Sequence, residues 1–387
     1  MPEAVIVAAA RSPIGRANKG HLVDVRPDNL AAHVVSKVME KVPQLSPEMI
    51  EDLLCGCGLP GGEQGFNLAR VVSILSRINS PGVTVNRYCS SSLATTRMAA
   101  HAIRAGEGDV FLSTGVECVS RFGNGTSDPR SARNPRLEPG NSEGYPDIYI
   151  SMGMTAENVA EREGITREEM DRYAVKSQTA AVAAQESGFF DREIVPVPLP
   201  NGELFSRDDG PRPGTTMEVL ATLKPAFRED GSVTAGNSCP LNDGAAAVVL
   251  MSDSRARELG VKPLARVIAT GVSALEPEYM GLGPVDASRQ ALKRAGMTID
   301  DIDVVEINEA FAAQVIPSAR KLGVDPYSDK LNPHGGAIAL GHPFGMTGAR
   351  ILCTLLNDLT TLDKTTGLET MCVGGGQGMA MIIERLN

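Results

Sequence analysis

The chain has 387 residues, 42% of them hydrophobic and 22% charged, so it is long enough to bury the core of two or three domains. Its net charge of −10 argues against a nucleic-acid partner, which needs a basic face, and no apolar run reaches the 18 residues of a membrane span. Seven cysteines, odd in number and scattered, with no basic leader segment, predict reduced thiols and a cytoplasmic location.

The first third of the chain alternates strand and helix patterns. AVIVAAA (4–10) predicts a buried strand and residues 28–42 predict a helix. Residues 49–58 indicate a helix end that leads into a strand, and GDVFLSTGVE (108–117) predicts a further strand. Near-continuous apolar strands separated by helices are typical of a sheet that is covered on both faces. We therefore expect an α/β fold.

The pattern changes near residue 120. Residues 120–147 are polar and rich in Gly, Pro and Ser, which predicts a loop. Arginines in this loop have two open interpretations, contact with the phosphates of an anionic ligand or solvation: Arg121, Arg130, Arg133 and Arg136. A helical pattern follows over 155–188, in which TREE (166–169) resembles a capping box.

An apolar strand pattern returns with AAAVVLM (245–251). Two sequence patterns from the first part of the chain then recur in the last part. Residues 46–58 and 297–310 share a hydroxyl cap, acidic residues and an apolar run; residues 105–117 and 365–378 share a glycine turn and a strand. We expect two copies of one α/β unit. The predicted boundaries are 1–119 with 243–262 for the N-terminal half, 120–242 for an inserted loop domain, and 263–387 for the C-terminal half.

NRYCSSSL (86–93) places Cys89 directly before a predicted helix. The unpaired N–H groups and the positive end of a helix dipole stabilise a thiolate, so Cys89 is a candidate nucleophile. The alternative is a small buried side chain, which is the commonest role of a free cysteine.

HGGAIALGHPFGMTGAR (334–350) surrounds His342 with small residues and places it at a turn before a helix. His21, His33 and His101 lie in ordinary helical or loop contexts, where a structural role is expected. His334 lies at the rim of the same segment, where it can simply be solvated.

Two further segments carry candidate residues. TMCVGGGQG (370–378) has Cys372 at the end of a predicted strand, directly before a glycine triplet. The triplet predicts one of two structures. The first is a bend that exposes backbone N–H groups, such as that of Gly374, as an oxyanion site, and the second is a hairpin that needs positive φ. INEAFAAQ (307–314) has Asn308 and Glu309 between a strand and a helix, where Asn308 caps the helix, orients a water molecule, or both. CGCG (55–58) lacks a nearby His or Cys cluster, so no metal site is expected.

These segments together resemble the thiolases, the acetyl-CoA acyltransferases, almost from end to end. NRYCSSSL resembles their acyl-enzyme segment, while NEAFA, GGAIALGHPFGMTGAR and CVGGGQG resemble their three C-terminal signatures. Residues 151–161 and 234–246 resemble two further stretches. The resemblance implies a duplicated five-layered α-β-α-β-α core with an inserted loop domain.

The resemblance also implies the chemistry. Cys89 takes the nucleophile position of a reversible 3-ketoacyl-CoA thiolysis, in which backbone N–H groups of Cys89 and Gly374 form one oxyanion hole. His342, with a water molecule held by Asn308, forms a second, and His342 helps to activate Cys89. Cys372 takes the acid/base position, for which we expect a pKa near enough to neutral. Glu309 is expected to orient its neighbours.

Substrate contacts follow from the same alignment of motifs. Positions that line the acyl and pantetheine pocket of the family are occupied by Met152, Met280, Ala310 and Phe311, although either methionine can be core packing. Cys239 stands where many members have a hydroxyl residue in contact with pantetheine, and Ser151 stands where many acetoacetyl-specific members have histidine. The cysteine at 239 leaves open whether the hydrogen bond to pantetheine is made. The serine at 151 indicates a pocket for longer or bulkier acyl chains and a degradative, β-oxidation role.

The expected ligands are 3-ketoacyl-CoA, acetyl-CoA and CoA, the last as co-substrate, with no permanently bound cofactor. The resemblance also implies a homodimer or homotetramer. A biosynthetic acetoacetyl-CoA thiolase is the main alternative. A β-ketoacyl synthase would lack the second catalytic cysteine, a cysteine hydrolase gives no reason for Cys372, and a non-catalytic acyl-CoA or lipid carrier would have lost the catalytic residues.

Overall fold

The computed structural model describes residues 2–124, 133–140 and 144–386. Its strands are β1 (Ala4–Arg11), β2 (Gly15–Arg16), β3 (Asp52–Gly56), β4 (Gly82–Val85), β5 (Val110–Cys118), β6 (Val197–Pro198), β7 (Leu204–Phe205), β8 (Asn242–Ser252), β9 (Ala265–Ala274), β10 (Val304–Ile307), β11 (Thr366–Val373) and β12 (Gln377–Arg385). Its helices are α1 (Pro27–Glu40), α2 (Leu68–Leu75), α3 (Ser91–Ala105), α4 (Met152–Glu163), α5 (Arg167–Glu186), α6 (Met217–Ala221), α7 (Asp253–Leu259), α8 (Gly283–Ala295), α9 (Ala312–Leu322), α10 (Ala337–Leu340) and α11 (Thr347–Thr361).

Ten of the described strands form two half-sheets joined at one narrow seam. The order is β10-β11-β12-β9-β1-β8-β5-β3-β4, with β2 beside β8. Only two residue pairs, Val5 with Arg266 and Ile6 with Ala265, connect β1 to β9. In one half-sheet, β3 pairs parallel with β5, and β5 pairs antiparallel with β8. In the other, β10 pairs parallel with β11, and β11 pairs antiparallel with β12. The predicted duplication is therefore present in the strand pattern.

The buried residues divide into three apolar clusters that define the layers. Along β8, Ala246, Val248 and Leu250 face the cluster that contains α3 and α11, whereas the alternate residues face α1 and α2. This is the period of two that a strand buried on both faces must show. Beyond the second half-sheet, a third cluster contains α8 and α9. The layer order is helix, sheet, helix, sheet, helix, so the predicted α/β class and five-layered core are confirmed.

The segments predicted as strands and helices are strands and helices in the structure, with small shifts at their ends. A 3-10 turn, Pro47–Met49, precedes β3 in place of a helix end. The long helical pattern of the middle section splits into α4 and α5 because Gly164 adopts a left-handed φ of 65°. Thr166 caps α5 by accepting a hydrogen bond from the Glu169 N–H at 3.2 Å. The predicted division of the chain at residues 119, 242 and 262 stays a prediction.

In the parts of the chain that the structure describes, no helix is long and apolar enough to cross a membrane.

Candidate active site

The N-terminal ends of α3 and α11 meet in the central layer. A Cβ atom on Gly348 would lie 2.3 Å from the Leu93 backbone nitrogen, so any larger residue would force the two helices apart. The Ala349 N–H also donates to the Ser92 hydroxyl at 2.9 Å. The loops that precede these two helices carry the predicted nucleophile and the predicted histidine. Close packing of α3 against α11 therefore brings these two loops together: the His342 ring lies 5.1 Å from the ring of Phe344, and Phe344 lines one cavity with Cys89.

Cys89 lies in a 3-10 turn, Tyr88–Ser90, that leads directly into α3. Burial raises the pKa of Cys89 to about 12, although the backbone N–H groups of Gly374 and of Cys89 itself act in the opposite direction. The predicted stabilisation of the thiolate by backbone N–H groups is present, but desolvation has the larger effect on this pKa and acts in the opposite direction. The resting thiol is protonated and needs a base.

His342 can supply that base as a neutral imidazole. The ring is buried, and this burial, together with the charge of Arg350, lowers the pKa of His342 to about 3. The Thr347 hydroxyl donates to the Pro343 carbonyl at 2.8 Å, so its oxygen accepts from Nδ1–H of His342, 2.7 Å away. This pair of hydrogen bonds fixes the tautomer and leaves the lone pair on Nε2.

Asn308 lies directly after β10 with its Nδ2 3.4 Å from Nε2 of His342. Its Oδ1 is buried and has no hydrogen-bond partner among the described residues. The prediction that Asn308 caps the next helix is wrong: α9 begins at Ala312, with Phe311 in the cap position. The unpaired amide oxygen agrees with the other alternative, which is a hydrogen bond to a water molecule.

Cys372 is fully buried near the end of β11. Burial raises the pKa of Cys372 well above its usual range, and negative charge on Cys89 or Cys239 raises it further. These electrostatic couplings indicate that the three sulfur atoms are neighbours. The expectation that the pKa of Cys372 lies near neutral is wrong for the resting protein, again because its surroundings exclude water.

The glycine triplet forms the turn between β11 and β12. Gly375 and Gly376 have φ values of 76° and 77°, which favour glycine, and the strands on either side pair antiparallel. The backbone N–H of Gly374 contacts the Cys89 sulfur. The predicted hairpin with positive φ is therefore present, and it directs a backbone donor at the thiol; the role of that donor in an oxyanion site stays a prediction.

Glu309 accepts hydrogen bonds from four groups on three segments around the site. Its donors are the Tyr173 hydroxyl at 3.0 Å, the Ser177 hydroxyl at 2.6 Å, the Asn332 amide at 2.8 Å and the Ile338 N–H at 3.1 Å. The carboxylate is fully buried. It ties α5 and α10 to the end of β10, so it supports the prediction that Glu309 orients its neighbours.

A cavity of about 360 Å³ opens above the Cys89 thiol. It is lined by Gly58, Leu59, Tyr88, Cys89, Arg133, Ile148, Tyr149, Ile150, Met152, Phe344, Gly374 and Gly375. Most of the lining is apolar, and one cationic side chain lies among it. Such a cavity suits a ligand with an apolar part near the thiol and an anionic part farther away.

The other predicted substrate residues do not line this cavity. Met280, Ala310 and Phe311 are at most 6% exposed and belong to the apolar cluster under α9. Cys239 is half-buried against the same cluster, and its backbone N–H donates to the Ala310 carbonyl at 3.0 Å. Of this group, the structure brings only Met152 to the cavity; for Met280 it favours the alternative of core packing.

Family models match almost the whole chain. The model described as "Thiolase, N-terminal domain" matches residues 4–254, and "Thiolase, C-terminal domain" matches residues 261–385. The chain belongs to the thiolase family. It is therefore an acyltransferase enzyme, as the four motifs predicted.

Curated thiolases match over their full length. The chain is 43% identical to a 3-ketoacyl-CoA thiolase of Bacillus subtilis, covering 99% of this chain and all of that protein. It is 45% identical to one of Klebsiella pneumoniae, with both chains fully covered. Among solved structures, the Bacillus anthracis acetyl-CoA acetyltransferase is similar with a TM-score of 0.91 and 38% identity, covering 100% of this chain and 99% of that one.

The loop arginines of this thiolase differ in their surroundings. Arg133 lines the cavity and lies 5.3 Å above the Tyr149 ring, whereas Arg121 pairs with the Glu63 carboxylate. Arg136 lies 5.0 Å above the ring of Tyr145. Arg130 lies outside the described residues. Of the described arginines in the loop, Arg133 is the one positioned beside the thiol cavity.

Sequence reasoning missed two residues that position the site of this thiolase. Thr347 orients His342. It lies in the same signature segment as His342, and this position in the sequence could have identified it. Glu117 is buried at the end of β5 and accepts from the N–H groups of Gly58, at 2.8 Å, and Gly345, also at 2.8 Å. It joins two cavity loops that are distant in sequence, which no local pattern could reveal.

One of the two cysteines of CGCG is a strand residue. Cys55 lies in β3, Cys57 follows it, and both are completely buried. Within the ranges that the structure covers, no group of three His, Cys, Asp or Glu side chains is arranged to hold a metal ion.

Proposed function

We propose that this chain catalyses the reversible thiolytic cleavage of 3-ketoacyl-CoA to acetyl-CoA and a shortened acyl-CoA. The observation that supports it most directly is the electrostatic coupling of two buried thiols, Cys89 and Cys372, at a cavity whose Phe344 packs against the buried His342 ring. A hydrolase that used Cys89 and His342 would need no second thiol. Thiolysis requires a second acid/base group, because a carbon leaving group must be protonated and the CoA thiol must later be deprotonated.

In the first step, Nε2 of His342 accepts the proton of the Cys89 thiol, and the sulfur attacks the 3-keto carbon. The tetrahedral oxyanion is stabilised by the backbone N–H groups of Cys89 and Gly374. Both N–H groups are directed at the Cys89 sulfur in the resting protein.

Collapse of this intermediate breaks the bond between C2 and C3 and leaves the acyl group on Cys89. The departing enolate develops charge on the thioester oxygen, which His342, now protonated at Nε2, stabilises by donating a hydrogen bond. A water molecule bound to the free Oδ1 of Asn308 supplies the second donor. The Cys372 thiol gives its proton to C2 and completes acetyl-CoA.

In the second half-reaction, CoA acts as a co-substrate. The Cys372 thiolate takes the proton of the CoA thiol, and the CoA sulfur attacks the acyl carbon on Cys89. The Cys89 sulfur leaves and recovers its proton from His342. Both catalytic groups return to their starting states, so the cycle needs no permanently bound cofactor.

The direction and the acyl chain length belong to the same proposal. Relatives named 3-ketoacyl-CoA thiolase match over their full length at 43% and 45% identity, and Ser151 replaces the histidine expected of many acetoacetyl-specific members. We therefore favour a degradative, β-oxidation enzyme. The similarity to an acetyl-CoA acetyltransferase structure favours the second candidate, a biosynthetic acetoacetyl-CoA thiolase. A cytoplasmic location and a homodimer or homotetramer complete the proposal.

The test is the loss of the 3-ketoacyl-CoA chromophore on addition of CoA, with four-, eight- and sixteen-carbon substrates. The proposal expects activity that extends beyond four carbons and disappears in Cys89→Ser. Activity confined to four carbons supports the biosynthetic alternative. No activity with any chain overturns the proposed function.

A further inference from the structure

A second cavity lies next to the Cys89 cavity. Its volume is about 260 Å³, and it is lined by Gly58, Leu59, Pro60, Gly61, Asn86, Tyr88 and Phe122. Three of these residues, Gly58, Leu59 and Tyr88, also line the cavity above the thiol. Of these three shared residues, Leu59 and Tyr88 carry side chains that can separate the two cavities.

The two cavities differ in chemistry. The lining of the second cavity includes no charged side chain among the described residues, and the amide of Asn86 and the hydroxyl of Tyr88 are its polar side-chain groups. The first cavity contains Arg133. Phosphate groups of CoA are therefore better placed in the first cavity, whereas the second suits an uncharged apolar chain.

Tyr88 is held at the partition by its backbone. Its φ of 44° is left-handed, which is uncommon for a residue other than glycine, and such strain is found where the surrounding structure imposes it. The Tyr88 N–H donates to Asn86 Oδ1 at 2.8 Å, and the Ser91 hydroxyl donates to the Tyr88 carbonyl at 2.6 Å. The ring lies 3.4 Å from the position that a Cβ atom of Gly374 would occupy. The backbone of Tyr88 is thus fixed in the nucleophile turn, and its ring, in a residue that is 42% exposed, lies beside the glycine turn.

Leu59 is fixed from the opposite side. Its backbone N–H donates to the buried Glu117 carboxylate at 3.2 Å. Because Glu117 also holds the neighbouring N–H of Gly58, the loop that carries Leu59 cannot move away without leaving a buried carboxylate under-bonded.

We propose that Tyr88 and Leu59 determine the acyl specificity of this thiolase by closing the thiol cavity toward the second, apolar cavity. The inference rests on the proposed function and adds its specificity determinants. An acyl chain on Cys89 ends or bends at the Tyr88 ring; removal of the ring opens the second cavity to further methylene groups. Each methylene that becomes buried is worth about a fourfold gain in kcat/KM.

The experiment compares the ratio of kcat/KM for a sixteen-carbon and a four-carbon 3-ketoacyl-CoA in wild type, Tyr88→Ala, Tyr88→Phe and Leu59→Ala. Burial of only two more methylene groups predicts about a fifteenfold rise in the ratio for Tyr88→Ala. Leu59→Ala is expected to raise the ratio in the same direction. Tyr88→Phe keeps the ring and is expected to keep the wild-type ratio. Leu204→Ala, at a 68% exposed site, is the surface control.

The outcomes separate the two proposals. If the wild type cleaves 3-ketoacyl-CoA but both alanine variants keep the ratio within threefold, the partition does not set specificity and this inference is wrong. If the wild type cleaves none of the substrates, it is the proposed function that fails. If Tyr88→Ala does not fold, the Leu59→Ala ratio decides alone.

Discussion

Thr347→Val tests the idea that one hydrogen bond holds His342 in its reactive tautomer. Valine keeps the shape of threonine but removes the oxygen that accepts Nδ1–H at 2.7 Å. The ring is buried, with 1% of the residue exposed, so water cannot replace this acceptor. A buried N–H without an acceptor costs about 1–3 kcal/mol. The ring can avoid this cost by moving its proton to Nε2, but then it cannot deprotonate Cys89.

In either case the barrier to acylation rises by about 1–3 kcal/mol, which corresponds to a loss of about five- to 150-fold. The assay is the rate of acyl transfer to Cys89 from a 3-ketoacyl-CoA, measured in a single turnover without CoA. Thr347→Ser keeps the hydroxyl group and is expected to stay within about threefold of wild type, so it separates loss of the hydrogen bond from general disturbance. A folded Thr347→Val protein that retains more than half of the wild-type rate would refute the reasoning.

Three further outcomes follow from the same geometry. Burial raises the pKa of Cys89 to about 12, and only the thiolate is alkylated. The rate of alkylation of Cys89 by iodoacetamide should therefore rise about tenfold per pH unit from pH 6 to 9. A rate that reaches a plateau near neutral pH would indicate a thiolate in the resting protein. Cys372→Ser should slow exchange of deuterium from solvent into the methyl group of acetyl-CoA by about a hundredfold or more, and unchanged exchange would assign the acid/base role elsewhere. Glu309→Gln replaces an acceptor of four hydrogen bonds and should lower the free energy of unfolding, measured in urea, by about 2–4 kcal/mol. The control is Glu40→Gln. The side chain of Glu40 is 62% exposed, so this substitution should change the free energy of unfolding by less than about 0.5 kcal/mol.

Much of the fold follows from the sequence because the strands are buried on both faces. Such strands appear as short apolar runs, and the glycine and capping residues between them mark where they end. The candidate catalytic residues could also be selected from the sequence, since Cys89, His342, Asn308 and Cys372 each lie in a segment typical of the thiolases. The motifs therefore indicate which side chains belong to the candidate site.

The electrostatic state of the cluster was not predictable from local patterns. The position of Cys89 before α3 indicates a lowered pKa, but burial by residues from distant segments has the larger effect and raises it. The cavity lining was missed for a similar reason. Met280 and Phe311 lie in matching motifs yet pack into the core, whereas Leu59 reaches the cavity through the loop after β3 and the buried Glu117. These contacts depend on tertiary packing, which the sequence does not display.

The most direct test of the account is intact-protein and peptide mass spectrometry after mixing the enzyme with 3-ketooctanoyl-CoA in the absence of CoA. The account predicts one hexanoyl group per chain, located on Cys89, released by added CoA and absent from Cys89→Ser. A hexanoyl group on Cys372 or Cys239, or an active enzyme that never carries the group, would contradict it.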